Sequence, residues 1–375
     1  MALTVLILGG YGNFGSKIAR RLIEDTEIDL LIAGRDIHKA RVFSKQLEAI
    51  SNRPVRPILL DTNSVDFQQT LLDSGATLLI HTSGPFQSQN YYVAETCINN
   101  GIHYIDLADG RSFVDNFSQL NELAKNKHVL AVSGASSVPG LSSAVIHEYL
   151  GDFSKLETLE YGISPGNKAD RGEATVAAIL SYTGHTFQRT ENGLIKNVYG
   201  WQNIFQHLFP KPMGKRWLAN CDIPDLSLFP QHYKTLKTIR FYAGLELSAL
   251  HLAMWGMSWL ARIGIIKNWA RYAKPITGLS RWFERFGSDI GGMFVELTGK
   301  DHTGKPLTIE WNLVAEQGDG PMIPAIPAVI LAKKLARGKI TQYGAMPCIE
   351  LFSLDDFFKE TKDLAIHQAI KKHSP

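Results

Sequence analysis

Short apolar runs alternate with amphipathic stretches over the first 140 residues of the chain. The apolar runs predict strands over Thr4–Leu8, Ile28–Ala33, Val55–Leu60, Ala76–His81, His103–Leu107 and Val129–Val132. The stretches between them predict helices over Ser16–Glu24, from Ile37 onward, and over Ser64–Ser74, Gln89–Asn99 and Ser112–Lys125. Because strands that alternate with helices form parallel β-α-β units, we predict an α/β fold whose residues 1–150 form a doubly wound parallel sheet.

The pattern changes after residue 150. Leu156–Ser164 predicts a strand and Gly172–Tyr182 a helix, while Asn192-Gly193 and Asp301–Gly304 are the turn signals of two hairpins. The hairpin strands are predicted over Thr186–Arg189 with Leu194–Tyr199, and over Met293–Thr298 with Leu307–Ala315. These elements predict an α+β substrate domain over residues 151–320. Two further helices, Ala325–Ala336 and Asp355–Ala369, are expected within residues 321–375 and to pack back on the first domain.

Composition limits the class of protein. The chain has 375 residues, 45% of them hydrophobic and 20% charged, as is usual for a globular protein of two domains. A net charge of +3 and the lack of a DNA or RNA motif argue against nucleic-acid binding. The three cysteines are far apart and no metal-ligand cluster is visible, so we expect neither a disulfide framework nor a metal, and a cytoplasmic location. Because the first strand is predicted to begin within four residues of Met1, we expect no signal peptide.

A glycine-rich turn, Gly9-Gly10-Tyr11-Gly12-Asn13-Phe14-Gly15, follows the first strand directly and precedes a helix. This order is that of a Rossmann dinucleotide-binding unit. Gly10 allows the tight turn, Gly12 lets the backbone approach a pyrophosphate, and Gly15 lets the helix lie close to the strand. The N–H groups at the start of the helix attract phosphate, so Asn13 and Phe14 are included among the predicted cofactor contacts.

The end of the second strand predicts which dinucleotide is bound. NAD enzymes usually place a carboxylate there for the ribose 2′-OH, whereas NADP enzymes supply an arginine for the 2′-phosphate. Here Gly34 occupies the strand end and Arg35 follows it. Asp36 is either a displaced ribose ligand or the N-cap of the next helix, and we favour the cap. We therefore predict NADP as the cofactor, with Arg35 at its phosphate.

The loops beyond the carboxyl ends of the strands are where a doubly wound sheet binds its ligands. Ser83, Gly84, Pro85 and Phe86 are predicted to border the nicotinamide, with Phe86 near its ring. Tyr92 and Asp109 are the candidates for handling a proton or orienting the substrate. Each residue also has a structural alternative. Tyr92, like its neighbour Tyr91, packs at the start of a helix, and Asp109 caps the helix after Gly110.

These motifs together resemble the saccharopine dehydrogenase-like oxidoreductases. The glycine turn with Ala33-Gly34-Arg35, Ser83-Gly84-Pro85-Phe86, and the run Gly101-Ile102-His103-Tyr104-Ile105-Asp106 occur in the order typical of that family. Gly344–Cys348 is a further, weaker similarity. The resemblance covers about 140 residues and implies NADP-dependent redox chemistry on small-molecule or lipid-linked substrates, including those of a lipid or enoyl-reductase-like branch. Rossmann oxidoreductases are often homodimers, and we expect the same here by analogy.

The segment 245–286 has an unusual composition. Leu247–Ala261 contains no Asp, Glu, Lys or Arg, and basic residues with tryptophans follow it. At 15 residues it is too short to span a membrane, which takes about 20 apolar residues. Residues 247–285 form either a buried helix hairpin with a solvated basic face, which we favour, or a peripheral membrane contact and lipid-substrate portal.

Three functions fit the sequence. The first is an NADP-dependent oxidoreductase of the saccharopine dehydrogenase-like group that transfers hydride to or from a small-molecule or lipid-linked substrate, for example a keto or enoyl group on a bulky apolar chain. The second is an amino-acid or polyamine dehydrogenase that reduces an imine; its site needs carboxylate-binding arginines, for which Arg171 and Arg189 are the suggestive positions. The third is a membrane-peripheral NADP-binding scaffold or sensor without catalysis. We predict the first.

Overall fold

The computed structural model describes residues 2–169 and 173–373. Its first six strands are β1 (Leu3–Leu8), β2 (Ile28–Gly34), β3 (Arg56–Leu59), β4 (Leu78–His81), β5 (His103–Asp106) and β6 (Leu130–Ser133). The helices that connect them are α1 (Asn13–Leu22), α2 (Ile37–Ser51), α3 (Phe67–Asp73), α4 (Tyr92–Asn99), α5 (Arg111–Asp115) and α6 (Asn121–Asn126). Strand and helix alternate along this part of the chain, as the hydrophobic pattern predicts.

The remaining strands are β7 (Lys155–Ser164), β8 (Thr186–Glu191), β9 (Leu194–Tyr199), β10 (Phe205–Leu208), β11 (Lys215–Asn220), β12 (Thr238–Ala243), β13 (Gly291–Lys300), β14 (Pro306–Ala315), β15 (Gly344–Pro347) and β16 (Ile366–His373). The remaining helices are α7 (Ser142–Leu150), α8 (Glu173–Tyr182), α9 (Asp225–His232), α10 (Ser248–Arg262), α11 (Ala273–Arg281), α12 (Ile326–Ala336) and α13 (Leu354–Glu360). The chain divides into two compact units.

The first unit consists of the chain up to Leu141 together with Met322–Glu360. Its seven strands form one parallel sheet in the order β15-β6-β5-β4-β1-β2-β3. Val5, Leu6 and Ile7 of the central strand are fully buried, because helices cover both faces of a sheet of this kind. The order reverses between β1 and β4, which is the switch point of a Rossmann fold. The predicted α/β class is confirmed.

The second unit consists of Ser142–Pro321 and the chain from Thr361 onward. Its main sheet has the order β10-β11-β12-β7-β13-β14-β16, in which β12 and β7 are parallel and the other pairs antiparallel. β8 and β9 form a separate hairpin about the predicted Asn192-Gly193 turn, and both of these residues have a positive φ. Both predicted hairpins are therefore present in a mixed sheet-and-helix unit.

Several predicted helices differ from the structure, and α3 and α4 each begin three residues later than predicted. The Asp355–Ala369 prediction is wrong in its second half: α13 ends at Glu360, and β16 pairs with Thr308–Ala315 of β14, because backbone pairing at a sheet edge outweighs local helix propensity. The Ser112–Lys125 prediction is broken into α5, a 3-10 turn and α6. α1 begins at Asn13 rather than Ser16. Gly172, the predicted start of α8, lies outside the described residues.

Candidate dinucleotide-binding site

The glycine turn after β1 is too crowded for side chains at Gly10 and Gly15. Gly9 has a φ of +83°, which favours glycine. A β-carbon at Gly10 would lie 2.9 Å from the Ile7 carbonyl oxygen, and one at Gly15 would lie 2.3 Å from the Gly9 oxygen. Gly12 is exposed and its β-carbon would meet only the Gly9 oxygen, at 3.0 Å. The side of the turn at Gly12 is therefore the open one.

The helix that follows the turn offers donors to a ligand. Gly12 is the N-cap of α1 and no side chain caps the helix there. The first-turn N–H groups of a helix have no partner within it and carry the positive end of its dipole. Asn13 and Phe14, both half-buried, form the first helical residues. Such a helix start, next to an exposed glycine, fits the pyrophosphate of a dinucleotide.

Tyr11 occupies the space at the end of β2. Its ring lies against Gly34, where a β-carbon would be 2.6 Å from the ring, and its hydroxyl accepts the backbone N–H of Asp36 at 2.9 Å. The Asp36 carboxylate in turn accepts the N–H groups of His38 and Lys39, so the predicted N-cap of α2 is confirmed. The role of Tyr11 was not predicted from the sequence. The signal for it was Gly34, a glycine at the strand end where NAD enzymes usually carry a carboxylate.

Arg35 lies beside this arrangement. Its side chain is exposed, and within the described part of the chain its guanidinium takes part in no hydrogen bond or ion pair. An exposed guanidinium can present its planar set of donors to a phosphate. The residues at the end of β2 therefore fit a cofactor that carries a 2′-phosphate.

The loop after β4 touches the glycine turn directly. The Thr82 N–H and hydroxyl both donate to the Leu8 carbonyl oxygen, each at 2.9 Å. A β-carbon at Gly9 would lie 2.6 Å from the Ser83 hydroxyl oxygen. The structure therefore brings the predicted Ser83–Phe86 loop against the turn at the switch point, where ligands bind in sheets of this kind.

Phe86 faces the interior of the unit. Its ring is buried, with its centroid 5.0 Å from that of His81 and 5.3 Å from that of Phe113. Pro85 is exposed, and the Gln89 side chain donates to the Ser83 carbonyl oxygen at 2.7 Å. The buried Phe86 ring thus anchors the loop, in which Gly84 is half-buried and Pro85 exposed.

Asp109 and Tyr92 occupy different surroundings. Asp109 is exposed after β5 and accepts a hydrogen bond from the Gln87 side chain at 3.1 Å. Gly110, and not Asp109, is the N-cap of α5. The Tyr92 ring lies 5.5 Å from that of Phe67, on α3. Asp109 is therefore next to the loop of Phe86, while Tyr92 packs at its helix start.

Asp106 connects the ends of β5 and β6, a role that sequence reasoning did not assign. Its buried carboxylate accepts the N–H groups of Ala108 at 2.9 Å and Gly134 at 2.8 Å, and the Ser133 hydroxyl at 2.9 Å. Burial raises the pKa of Asp106 to about 6, although these three donors oppose the increase. The final aspartate of the His103–Asp106 strand was its only sequence signal.

Two buried aromatic groups complete the underside of the loops. The His81 Nδ1 lies 3.1 Å from the Tyr104 hydroxyl, and burial lowers the pKa of His81 to about 3. The Tyr91 hydroxyl donates to the Phe113 carbonyl oxygen at 2.6 Å, and burial is the main cause that raises its pKa to about 12. His81 is therefore neutral and structural, and Tyr91 is engaged in packing of α4 against α5.

In the second unit, Arg189 is already neutralised. It is buried, and its guanidinium donates to the Glu191 carboxylate at 2.5 Å and to the Asn220 side chain at 2.8 Å. Arg171, the other suggestive arginine, lies outside the described residues. Two nitrogens of the Arg189 guanidinium are therefore engaged within its own unit, while its buried Nε has no hydrogen-bond partner among the described residues.

Two wider searches were negative for the described residues. Across 2–169 and 173–373, no three or more His, Cys, Asp or Glu side chains are placed to hold a metal ion. Over the same ranges, no helix has the length and apolar character needed to cross a membrane.

Comparison with known proteins identifies the first unit. Residues 5–132 match the family model of the saccharopine dehydrogenase NADP-binding domain. No curated protein matches the sequence. The apo, histidine-tagged saccharopine dehydrogenase (L-Glu forming) from Saccharomyces cerevisiae has a similar fold, with a TM-score of 0.69 at 13% identity, over 99% of this chain and 100% of that chain.

Two other solved structures have lower TM-scores. An amine dehydrogenase from Mycobacterium smegmatis gives 0.46 at 10% identity, over 92% of this chain and 94% of that chain. A biliverdin reductase from a Synechocystis species, in complex with biliverdin and NADP+, gives 0.42 at 12% identity, over 96% of each chain.

The parallel sheet, its switch point and the glycine turn define a dinucleotide-binding protein of the Rossmann class. Residues 5–132 match the saccharopine dehydrogenase NADP-binding domain, so the cofactor is NADP and the chain is an NADP-dependent oxidoreductase.

Proposed function

We propose that the protein binds NADPH across the glycine turn and reduces a polarised C=O or C=C group on an apolar, lipid-linked substrate. The observation that carries this proposal is the contact of the turn with the Thr82–Ser83 backbone at the switch point of the sheet. NADPH supplies the hydride when bound; a proton completes the reduction, and NADP+ is released.

The cofactor is held by groups with separate tasks in this proposal. Gly10, Gly12 and Gly15 keep the turn flat enough for the pyrophosphate, and the first N–H groups of α1, at Asn13 and Phe14, donate to it. Arg35 binds the 2′-phosphate, because no carboxylate precedes it and its donors are not used elsewhere in the described chain.

The reacting end of the cofactor lies at the loops after β4 and β5. The Ser83, Gly84 and Pro85 backbone borders the nicotinamide, with the Phe86 ring holding that backbone from below. Asp109, which is tied to the same loop through Gln87, orients the substrate or its proton. Tyr92 is the second candidate for the proton, and its contact with Phe67 makes it the weaker one.

The commitment of Arg189 to Glu191 and Asn220 supports an apolar substrate over an imine of an amino acid. An imine-reducing site needs arginines whose donors are available to substrate carboxylates. Of the two arginines that the sequence offers for such a site, Arg189, the one within the described residues, is engaged with Glu191 and Asn220, which favours a keto or enoyl acceptor.

The experiment is a titration with NADPH and with NADH, followed by energy transfer from tryptophan to nicotinamide. We expect tight NADPH binding, loss of binding in Gly12→Val, and at least a tenfold weakening of NADPH but not NADH binding in Arg35→Ala. Arg41→Ala, which removes an exposed cation from α2, is the matched control and leaves both affinities unchanged. Comparable affinity for both nucleotides that Arg35→Ala does not alter would contradict the 2′-phosphate role.

Turnover is tested separately. NADPH oxidation is measured with a long-chain ketone, a long-chain enoyl thioester, and an amine paired with a 2-oxo acid. We expect turnover with an apolar acceptor and a fall in kcat of at least tenfold in Asp109→Asn, with NADPH affinity unchanged. Turnover with the amine pair alone would favour the imine reaction, and a loss confined to Tyr92→Phe would move the proton role to Tyr92.

A further inference from the structure

The segment between β12 and β13 carries a surface that the cofactor chemistry does not use. We call it the Trp–basic face, defined as the outer surface of α10, α11 and the turns beside them. Its apolar members are Leu252, Trp255, Trp259, Ile263, Leu279 and Trp282, all exposed. Its cations are Lys267, Arg271, Lys274 and Arg285, also exposed.

Helix α10 has apolar residues on its exposed side as well as on its buried side. His251, Met254, Ser258 and Ala261 are its buried residues. Leu252, Trp255 and Trp259 lie on a neighbouring side, with Ile263 just beyond the helix end, and Trp255 is 37% and Trp259 40% exposed. A helix that only packs on a core would present polar residues outward, so the outer stripe needs another explanation.

Helix α11 adds to the same face. Ala273 and Ile276 pack with Met254 and Met257 in one apolar cluster, and the Trp269 indole donates to the Met257 carbonyl oxygen at 2.9 Å. On its outer side Leu279 is 62% exposed, and Trp282 just beyond the helix is 77% exposed. Because α10 and α11 pack on the same apolar cluster, their exposed sides are held in place relative to each other.

The segment is fixed at its base. The Glu246 carboxylate accepts the backbone N–H of Asn167 at 2.6 Å, and the N–H and hydroxyl of Ser288 at 2.9 and 2.6 Å. Glu246 precedes α10 and Ser288 precedes β13, so one carboxylate fixes both ends of the segment between β12 and β13. Arg262 stabilises the outer stripe, since its guanidinium lies 4.8 Å from the Trp259 ring centroid and 3.9 Å from that of Tyr199.

The charge of the segment determines which occupant fits the face. Between Glu246 and Glu284 the sequence has no acidic residue, while it has five basic ones, Arg262, Lys267, Arg271, Lys274 and Arg281. Protein interfaces place few charges at their apolar core, whereas anionic lipid headgroups attract cations around inserted apolar side chains. Indoles are enriched at the level of the headgroups.

We infer that the Trp–basic face docks on the surface of an anionic lipid bilayer, with the indoles of Trp255, Trp259 and Trp282 at headgroup level. The cations around them contact the lipid phosphates, and the buried side of α10 remains on its cluster. The surface is independent of the proposed reaction, although a membrane location would give the protein access to lipid-linked substrates.

The test is cosedimentation of the full chain with vesicles of phosphatidylcholine alone or mixed with phosphatidylglycerol. We expect binding to the mixed vesicles, at least tenfold weaker binding to phosphatidylcholine alone, and release at high salt. Trp255→Ser with Trp259→Ser, and Arg271→Glu with Lys274→Glu, should each reduce binding at least tenfold. Quenching of tryptophan fluorescence by brominated lipid in the unmodified protein tests insertion without any substitution.

Matched controls separate this face from the rest of the surface. Leu194→Ser with Ile195→Ser removes an exposed apolar pair from β9, and Lys211→Glu with Lys215→Glu reverses two exposed charges near β11. Neither should alter vesicle binding, and NADPH binding should persist in all four variants. Lack of binding and quenching by the unmodified protein would overturn the inference, as would equal losses in the controls. Dimerisation abolished by Trp255→Ser with Trp259→Ser, without vesicle binding, would instead make the face a contact between copies of this chain.

Discussion

The hydroxyl of Tyr11 accepts the backbone N–H of Asp36 at 2.9 Å and so joins the glycine turn to the end of β2. The Tyr11 ring fills the space over Gly34 that a strand-end side chain would take. In the proposed cofactor site, Gly34 and Tyr11 thus leave no space for the strand-end carboxylate that NAD enzymes usually place there.

This relationship predicts a change of cofactor preference that needs two substitutions. Gly34→Asp alone should weaken binding of both nucleotides, because its β-carbon would lie 2.6 Å from the Tyr11 ring. Gly34→Asp with Tyr11→Ala removes the collision and places a carboxylate at the ribose. We expect its NADPH-to-NADH affinity ratio to fall at least tenfold, measured by titration. A ratio unchanged in the double variant, with Tyr11→Ala as control, would contradict the assignment of this strand end to the ribose.

Asp36 should contribute to stability and not to cofactor choice. Its carboxylate accepts two N–H groups at the start of α2, and loss of an N-cap typically costs about 1 kcal/mol. We expect Asp36→Ala to lower the free energy of unfolding by about that amount, measured by urea denaturation, while Asp36→Ser retains most of it. Nucleotide affinity should be unchanged in both variants; weaker NADH binding in Asp36→Ala would instead make Asp36 a ribose ligand.

His81 should make the protein less stable in acid. Burial lowers its pKa from 6.5 to about 3, so below pH 6.5 the unfolded chain binds a proton that the folded chain does not. The stability contributed by neutral His81 is complete above 6.5 and is lost as the pH falls. At about pH 4.5 the loss is roughly 3 kcal/mol, from about 1.4 kcal/mol per pH unit.

His81→Phe keeps a ring beside Phe86 and removes the titration. Denaturation at about pH 7 and about pH 4.5 should show a smaller decrease in stability for the variant than for the unmodified protein. The raised pKa of Asp106 acts in the opposite direction between about 4 and 6, since the folded state then binds more protons, but Asp106 is present in both proteins. Equal decreases in the two proteins would show that His81 does not titrate as inferred.

Three glutamates stand in register across the second sheet: Glu160 on β7, Glu296 on β13 and Glu310 on β14. Arg240 pairs with Glu160, and Lys371 with Glu310. Burial, followed by the two neighbouring carboxylates, raises the pKa of Glu296. The Glu296 carboxyl therefore ionises more readily in the unfolded chain than in the folded one. The free energy of unfolding falls as the pH rises through the pKa that Glu296 has in the folded state.

Glu296→Gln should therefore stabilise the protein at neutral pH, by about 0.5–1 kcal/mol from the relief of like charges across strands. Glu157→Gln on β7 is the control with the opposite sign, because it removes the ion pair with Lys237. Thermal unfolding near pH 7 compares the two. If Glu296→Gln is less stable than the unmodified protein, Glu296 makes a stabilising interaction that is stronger than its repulsion by Glu160 and Glu310.

The sequence predicted the first unit well because its signals are local. An apolar strand, a glycine turn and a helix are adjacent along the chain, and Asp36 could be assigned to a cap from its position alone. Contacts between distant segments could not be predicted. The role of Tyr11 needs Gly34, that of Asp106 needs Ser133 and Gly134, and the strand at Ile366–His373 forms only because β14 has an open edge.

The first unit is discontinuous in sequence, and this affects how the protein is made. The edge of β6 is completed by β15, and α12, whose residues Ile326–Ala332 are buried, also belongs to that unit. On a ribosome that adds ~5–20 residues per second, the intervening Ser142–Pro321 segment takes roughly ten to thirty seconds to synthesise. During that interval the nascent cofactor domain has an unpaired strand edge and lacks one of its helices. Full maturation of the nucleotide site therefore waits until the chain as far as Glu360 has left the exit tunnel.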